Sequence, residues 1–282
     1  MKYAGFKYNY LNNIGDHIQS LAVEQFLPKV NIRINRDSLS LNTVNDPVLL
    51  VMNGWFSHTP GVCFPPNRNI IGLFWGFHVT DWNNSWEYLL KPSSLSYLRK
   101  FEPIGCRDTE TMRRLTKAGI DSFYSKCLTL TFPKRKSVPK NGINILVDAD
   151  HIPLPASIKK DSLSVSHQVP WRLSENIKFI YARHLLHLYG ERAKLIVTTR
   201  LHCALPCVAM GIPVVFFGDE KDYRISLLKD VGLKINAISV DNRNDFLSCF
   251  NDIDWHPGII DFEEDKDRLI SSFKKMLNEW LT

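Results

Sequence analysis

Two patterns of apolar and polar positions recur along the chain. Short continuous apolar runs, bounded by Pro, Asn and Gly, stand at residues 47–52, 70–75, 143–147, 193–198 and 212–217. Runs of this length suit strands buried on both faces of a parallel sheet. Between them lie segments of helical period. Residues 15–27 carry Ile18, Leu21, Ala22 and Phe26 on one face, and residues 109–118 follow a capping Asp108 and stop at Gly119. Further helices are predicted over about 174–189, over 201–210 before Gly211, and over an acidic amphipathic tail at about 262–281.

The alternation is interrupted at residues 133–142, a polar, basic stretch holding Pro133 and Pro139. Taken as a linker, it predicts an N-terminal domain over 1–135 and a C-terminal domain over 136–282 that keeps the closing helix. Strands alternating with helices on both sides predict an α/β fold of two Rossmann-like, doubly wound domains facing a cleft.

Of the 282 residues, 44% are hydrophobic and 23% charged, which fits a folded protein and excludes a disordered, collagen-like or coiled-coil chain. The net charge of +6 comes from 35 basic and 29 acidic residues that are interleaved. That distribution lacks the basic stripe of a nucleic-acid binder, and an anionic small substrate or an acidic membrane surface fits the excess. The N-terminus has no apolar leader, and no stretch reaches the ~18 apolar residues of a membrane span, so a cytoplasmic protein is expected. The six cysteines, Cys63, Cys106, Cys127, Cys203, Cys207 and Cys249, lie mostly in apolar runs and are expected as reduced, buried thiols.

The sharpest chemical signal runs from Val197 to Val215. A strand ends at Thr198, Thr199-Arg200-Leu201-His202 follow at once, and a small-residue helix leads to the next strand. Residues just past the carboxyl end of a parallel strand lie in the ligand crevice of such sheets, and amides at a helix start attract anions. Arg200 offers a planar fork for phosphate or carboxylate, and His202 can exchange a proton near neutral pH. Cys203 and Cys207 lie one helical turn apart without a second pair of zinc-site spacing, so no metal is predicted.

Three other segments invite chemistry. In Asn12-Asn13-Ile14-Gly15-Asp16-His17, Gly15 permits a tight turn, and Asp16 is either the helix cap or a carboxylate that orients or deprotonates a sugar hydroxyl. In Gly105-Cys106-Arg107-Asp108, Arg107 is a second anion clamp and Asp108 a cap. Phe77-His78-Val79-Thr80-Asp81 ends an apolar stretch, and His78 is either an acid/base or a buried, hydrogen-bonded histidine. Trp55, Trp75, Trp82 and Trp171 can stack on sugar rings or fill the core.

The ordered set Asn13-x-Gly15-Asp16, Arg107-Asp108 with Leu115 and Gly119, and Thr199-Arg200-Leu201-His202 followed by Gly211-Ile212-Pro213 resembles the polysaccharide pyruvyl transferases over nearly the whole chain. Asn53-Gly54-Trp55 and Phe77-His78 look like the short bacterial branch of that family, whereas His17 stands where relatives often carry an acidic or small residue. The resemblance implies a glycosyltransferase-B-like fold, phosphoenolpyruvate as co-substrate with no other cofactor, and a pyruvate ketal formed on two hydroxyls of a sugar with release of phosphate. By motif position it places Arg200 and His202 in the donor site, with Arg107 as the other arginine and Asp16 near the acceptor; the chemistry then makes His202 the general acid, with Asp16 or His78 assisting hydroxyl deprotonation and Leu201 and Thr199 beside the donor. Asn13, Gly15, Trp55 and Asp81 fall to the acceptor. The implied acceptor belongs to surface-polysaccharide synthesis and can be lipid-linked, with peripheral contact at the inner membrane surface. The alternative on the same fold is a nucleotide-sugar glycosyltransferase, with Glu220 or Asp222 gripping a ribose; a carbohydrate-binding protein without activity is the other.

Overall fold

Near-continuous apolar strands become the interiors of three parallel sheets in a computed structural model that describes residues 1–237 and 250–280. Cys249 and Leu281 lie outside the described residues. The chain divides into two compact units, one made of Met1–Leu11, Asp16–Leu128 and Asp267–Thr282, the other of Asn12–Gly15 and Thr129–Lys266.

In the first unit the strands are β1 (Lys2–Lys7), β2 (Ile32–Asn35), β3 (Val48–Val51), β4 (Gly54–Trp55), β5 (Ile70–Leu73), β6 (Phe77–His78), β7 (Ile104–Cys106) and β8 (Ser122–Tyr124). They pair in parallel in the orders β2-β1-β3-β5 and β4-β6-β7-β8. Backbone bonds from Met52 to Leu73 (2.7 Å) and from Gly105 to Phe74 (3.1 Å) carry the pairing across the short breaks between the two sheets. At the break Gly76 has φ +69°, and a Cβ there would lie 2.1 Å from Asn53 Oδ1, so only glycine fits. All four residues of β3 are buried, and Phe77 packs between Phe56 (5.0 Å) and Phe74 (5.2 Å). Helix α1 (Ile14–Glu24) follows β1, and α2 (Thr109–Lys117) begins at Asp108, whose carboxylate accepts from Thr111 N–H at 2.8 Å.

The second unit holds β9 (Ile143–Val147), β10 (Ser162–Val165), β11 (Ala193–Thr198), β12 (Val214–Gly218) and β13 (Ile235–Ala237), all parallel in the order β10-β9-β11-β12-β13. The chain thus leaves β9 toward one edge and returns through β11 toward the other. Helix α3 (Glu175–Arg192) precedes β11, and α4 (Leu201–Ala209) follows it. Gly211, at φ +69°, closes α4 by donating to Val208 O while Ile212 N–H donates to Cys207 O, the paired bonds of a glycine-terminated helix.

The predicted apolar runs are β3, β5, β9, β11 and β12. The division of the chain differs from 1–135 and 136–282 in three places, the first being Asn12–Gly15, which counts with the second unit. The basic stretch at 133–142 lies inside the second unit, where Arg135 N–H donates to Met210 O (3.1 Å) and Arg135 Nη1 to Ala193 O (2.6 Å). The last described helix, α5 (Glu263–Glu279), counts from Asp267 with the first unit. Its Phe273 is wholly buried against Phe26 (4.9 Å) and Trp75 (5.2 Å), an aromatic contact that chain order does not reveal. Among the described residues no helix is long and apolar enough to cross a membrane.

Candidate active site

In the second unit the order β10-β9-β11 creates a switch point, and the crevice outside the carboxyl ends of β9 and β11 is where such sheets hold ligands. Asp148 directly follows β9 and Arg200 lies just past β11. Arg200 Nε donates to Asp148 Oδ2 at 2.6 Å. The same carboxylate accepts from Ser166 Oγ and from His167 N–H (3.0 Å), while its main-chain oxygen accepts from Thr199 Oγ1 at 3.1 Å. Burial pushes the Asp148 carboxyl up, but the bonds from Ser166, Arg200 and His167 outweigh it and hold the group below its ordinary range. His167 is fully buried, with Nε2 2.8 Å from Tyr189 Oη, and that burial lowers its pKa to about 4, leaving a neutral ring.

His202 sits in the first turn of α4 at φ −83°, ψ 15°, outside helical geometry. Pro206, four residues on, accounts for this: it has no N–H to give the His202 carbonyl, and its ring crowds that oxygen. Opposite His202 comes Gly15, where an added Cβ would lie 3.2 Å from both Cβ and Nδ1 of the histidine. The Asn12–Gly15 loop is fixed by Ile14 N–H to His167 O (2.8 Å), Val169 N–H to Asn12 O (2.8 Å) and the antiparallel bridge of Asn13 with Gln168. Asn13 Oδ1 accepts from Gly15 N–H at 3.1 Å and so supports the start of α1.

The first unit holds a second polar centre. Arg36 is 0% exposed, yet it donates from Nη1 to Asp16 Oδ1 (2.8 Å) and from Nε to Asp37 Oδ1 (3.0 Å). Burial works against its charge, and the two carboxylates overcome this and raise its pKa above the ordinary value. Its guanidinium carbon lies 5.0 Å from the Tyr8 ring centroid and 5.9 Å from that of Trp55. Trp55 Nε1 donates to Thr80 Oγ1 (3.0 Å), and Trp55 meets Trp82, which is 59% exposed, edge to face at 5.7 Å. His58 Nδ1 stands 3.6 Å from Asp37 Oδ2.

The structure therefore brings Thr199, Arg200, Leu201, His202, Asn13 and Gly15 into the second unit, and Asp16, Trp55, His78, Asp81 and Arg107 into the first. Asp16 does not cap α1; it is the third residue of the helix and binds Arg36. His78 is the buried alternative of its two readings, with Nδ1 2.5 Å from Asp108 Oδ2. Arg107 is buried beside it, its N–H donating to Phe77 O at 2.9 Å. Asp81 is exposed and bound by both Nη atoms of Arg114, at 2.5 and 3.1 Å. Trp75 packs in the core against Phe123 and Phe273, whereas Trp171 is largely exposed. Cys203 and Cys207 are buried, and among the described residues no group of three or more His, Cys, Asp or Glu could hold a metal ion. Sequence reading missed Asp148, Ser166, His167, Arg36 and Asp37. Asp148 carried a usable signal, an acidic residue directly after a predicted strand.

The sequence pattern of the family described as Polysaccharide pyruvyl transferase matches residues 13–220, which include both strand ends and the Asn13–Gly15 loop. No curated protein shows significant similarity to the chain. A solved structure of a functionally uncharacterised protein from Klebsiella pneumoniae subsp. pneumoniae NTUH-K2044 is similar with a TM-score of 0.48 and 13% identity, covering 84% of this chain and 93% of that one.

Proposed function

The chain belongs to the polysaccharide pyruvyl transferase family, and from that premise we propose that it moves the three-carbon unit of phosphoenolpyruvate onto two hydroxyls of a sugar. The product is a cyclic pyruvate ketal, and phosphate is released. The observation that carries the reading is the strand-end group Arg200 and His202, with Arg200 fixed by Asp148 and His202 flanked by Gly15. An arginine fork suits the carboxylate or phosphate of the donor.

In this reading His202 gives a proton to the methylene carbon of phosphoenolpyruvate, and a sugar hydroxyl attacks the adjacent carbon, losing its proton. The carbon–oxygen bond to phosphate then breaks, and the second hydroxyl closes the ring. Two hydroxyl protons leave the sugar, one is balanced by the new methyl group and one by the departing phosphate. A positioned acid contributes about 10²–10⁴-fold, and Arg200 stabilises charge on the leaving phosphate. Asp16, held by Arg36, is assigned to an acceptor hydroxyl with Trp55 as a sugar-facing ring. Asn13 and Gly15 are reassigned from the acceptor to the support of His202. Arg107 is kept as the second donor arginine, and His78, with its ring on Asp108, is given a positioning task there.

The finer fold reading, two Rossmann-like units of glycosyltransferase-B type, belongs to this proposal and draws support from the parallel strand orders. So do a cytoplasmic site of reaction and an acceptor for surface polysaccharide that can be carried on a lipid. For the nucleotide-sugar alternative, Glu220 is paired with Lys229 (3.2 Å), and Asp222 with Arg224 (2.5 Å). Incubation with phosphoenolpyruvate or with nucleotide sugars, beside galactose- and mannose-containing acceptors, separates the two. Acceptor-dependent phosphate release without nucleotide release is expected, and the reverse result refutes the proposal.

A further inference from the structure

Three strand ends of the second unit meet on one carboxylate. Asp148 follows β9, Ser166 and His167 follow β10, and Arg200 follows β11; all three partners donate to the Asp148 side chain. The backbone at Asp148 is left-handed, with φ +51°, a conformation that non-glycine residues adopt rarely and Asp and Asn most readily. This turn aims the carboxylate across the switch point at Arg200, two residues past the end of β11. A second layer secures it, because Tyr181 Oη donates to Ser166 O at 3.1 Å and His167 is tied to Tyr189.

We infer that Asp148 is a positioning residue, which grips Arg200 through Nε and reserves the Nη1 and Nη2 end of the guanidinium for the anionic donor. Among the described residues, none bonds to Nη1 or Nη2 of Arg200, whose side chain is 30% exposed. A negative carboxylate beside an anion-binding arginine opposes the ligand by simple repulsion, so its benefit there lies in orientation. A guanidinium has five N–H donors in a fixed plane, and fixing Nε fixes the direction of the other four. This inference rests on the pyruvyl-transfer reading for the identity of the anion and on geometry alone for the grip.

The test compares wild type with Asp148→Gly, Asp148→Asn, Arg200→Ala and the double variant Asp148→Gly/Arg200→Ala. Glycine accepts the left-handed turn while deleting the carboxylate. Asparagine also tolerates the turn, and its amide oxygen can accept from Arg200 Nε and His167 N–H while its nitrogen donates to Ser166. Asp148→Gly is expected to raise KM for phosphoenolpyruvate about 10–100-fold, with kcat changed less, and Asp148→Asn to stay within about fivefold of wild type. The double variant is expected to be no worse than Arg200→Ala. An unchanged KM in Asp148→Gly, or a further loss in the double variant, overturns the inference.

A readout without donor keeps the test separate from the function. The Arg200 Nε–H nuclear magnetic resonance signal should exchange slowly with solvent in wild type and in Asp148→Asn, and at least about tenfold faster in Asp148→Gly. Equal exchange rates in wild type and Asp148→Gly overturn the inference. If wild type shows the slow signal but never consumes phosphoenolpyruvate with any acceptor, the pyruvyl-transfer reading fails while the grip on Arg200 stands.

Discussion

Gly15→Ala should separate catalysis from stability. The added methyl would lie 3.2 Å from His202 Cβ, His202 Nδ1 and Asn13 Oδ1, whereas carbon contacts are best at about 3.5–4.0 Å. Relief thus requires His202 or Asn13 to move by a few tenths of an ångström. Overpacking of this kind costs about 1–3 kcal/mol, and alanine in place of glycine returns up to about 1 kcal/mol in helix α1. The net loss of about 0–3 kcal/mol leaves a folded chain with a fall in Tm. Proton transfer is less forgiving, since misplacement of a reacting group by 1 Å can cost about 10²-fold, and a shift of a few tenths should lower kcat on the order of tenfold. Phosphate release at saturating phosphoenolpyruvate and acceptor gives kcat, and a thermal melt gives stability. Wild-type kcat in Gly15→Ala would refute the idea that this contact sets the position of His202 for catalysis.

Acidification should weaken the fold through His167. The unfolded chain takes up that proton near pH 6.5, the folded one only near pH 4, so unfolding is favoured progressively between those values. The contribution is flat above about pH 6.5 and falls by about 3 kcal/mol in total as the pH drops to 4; urea unfolding across this range should show it, and His167→Gln should remove that part of the slope. Arg36→Met strands Asp16 and Asp37 as buried carboxylates without their cation, and should cost about 3–5 kcal/mol by denaturant titration; a loss under 1 kcal/mol would mean water reaches them. Asp81→Ala breaks only an exposed pair with Arg114 and should change stability by no more than about 1 kcal/mol.

The buried central strands were legible because Val48–Val51, β9, β11 and β12 read as unbroken apolar runs. β10 was not, since Ser162–Val165 is partly exposed and polar at alternate positions, and β2 is only four residues of mixed character. The segment holding Arg200 and His202 was legible from its place after a strand. The same rule applied to residue 148 would have found Asp148, but a strand-end carboxylate has no visible purpose until Arg200 stands beside it. The buried Arg36 centre joins residues twenty positions apart, Arg36 and Asp16, through the parallel pairing of β1 and β2, and nothing local announces it. By sequence Asp16 was the cap offered for α1; geometry gives the support to Asn13 and leaves Asp16 to Arg36. The placement of α5 depends on Phe273 finding Phe26 and Trp75, a long-range packing choice.

Mass spectrometry of a defined galactose- or mannose-containing acceptor, incubated with the protein and phosphoenolpyruvate, bears most directly on pyruvyl transfer. The expected result is an acceptor heavier by one pyruvic acid less one water, with phosphate released in equal amount and the change absent in Arg200→Ala. Phosphate release with an unmodified acceptor, or a glycosyl product formed only from a nucleotide sugar, would contradict it.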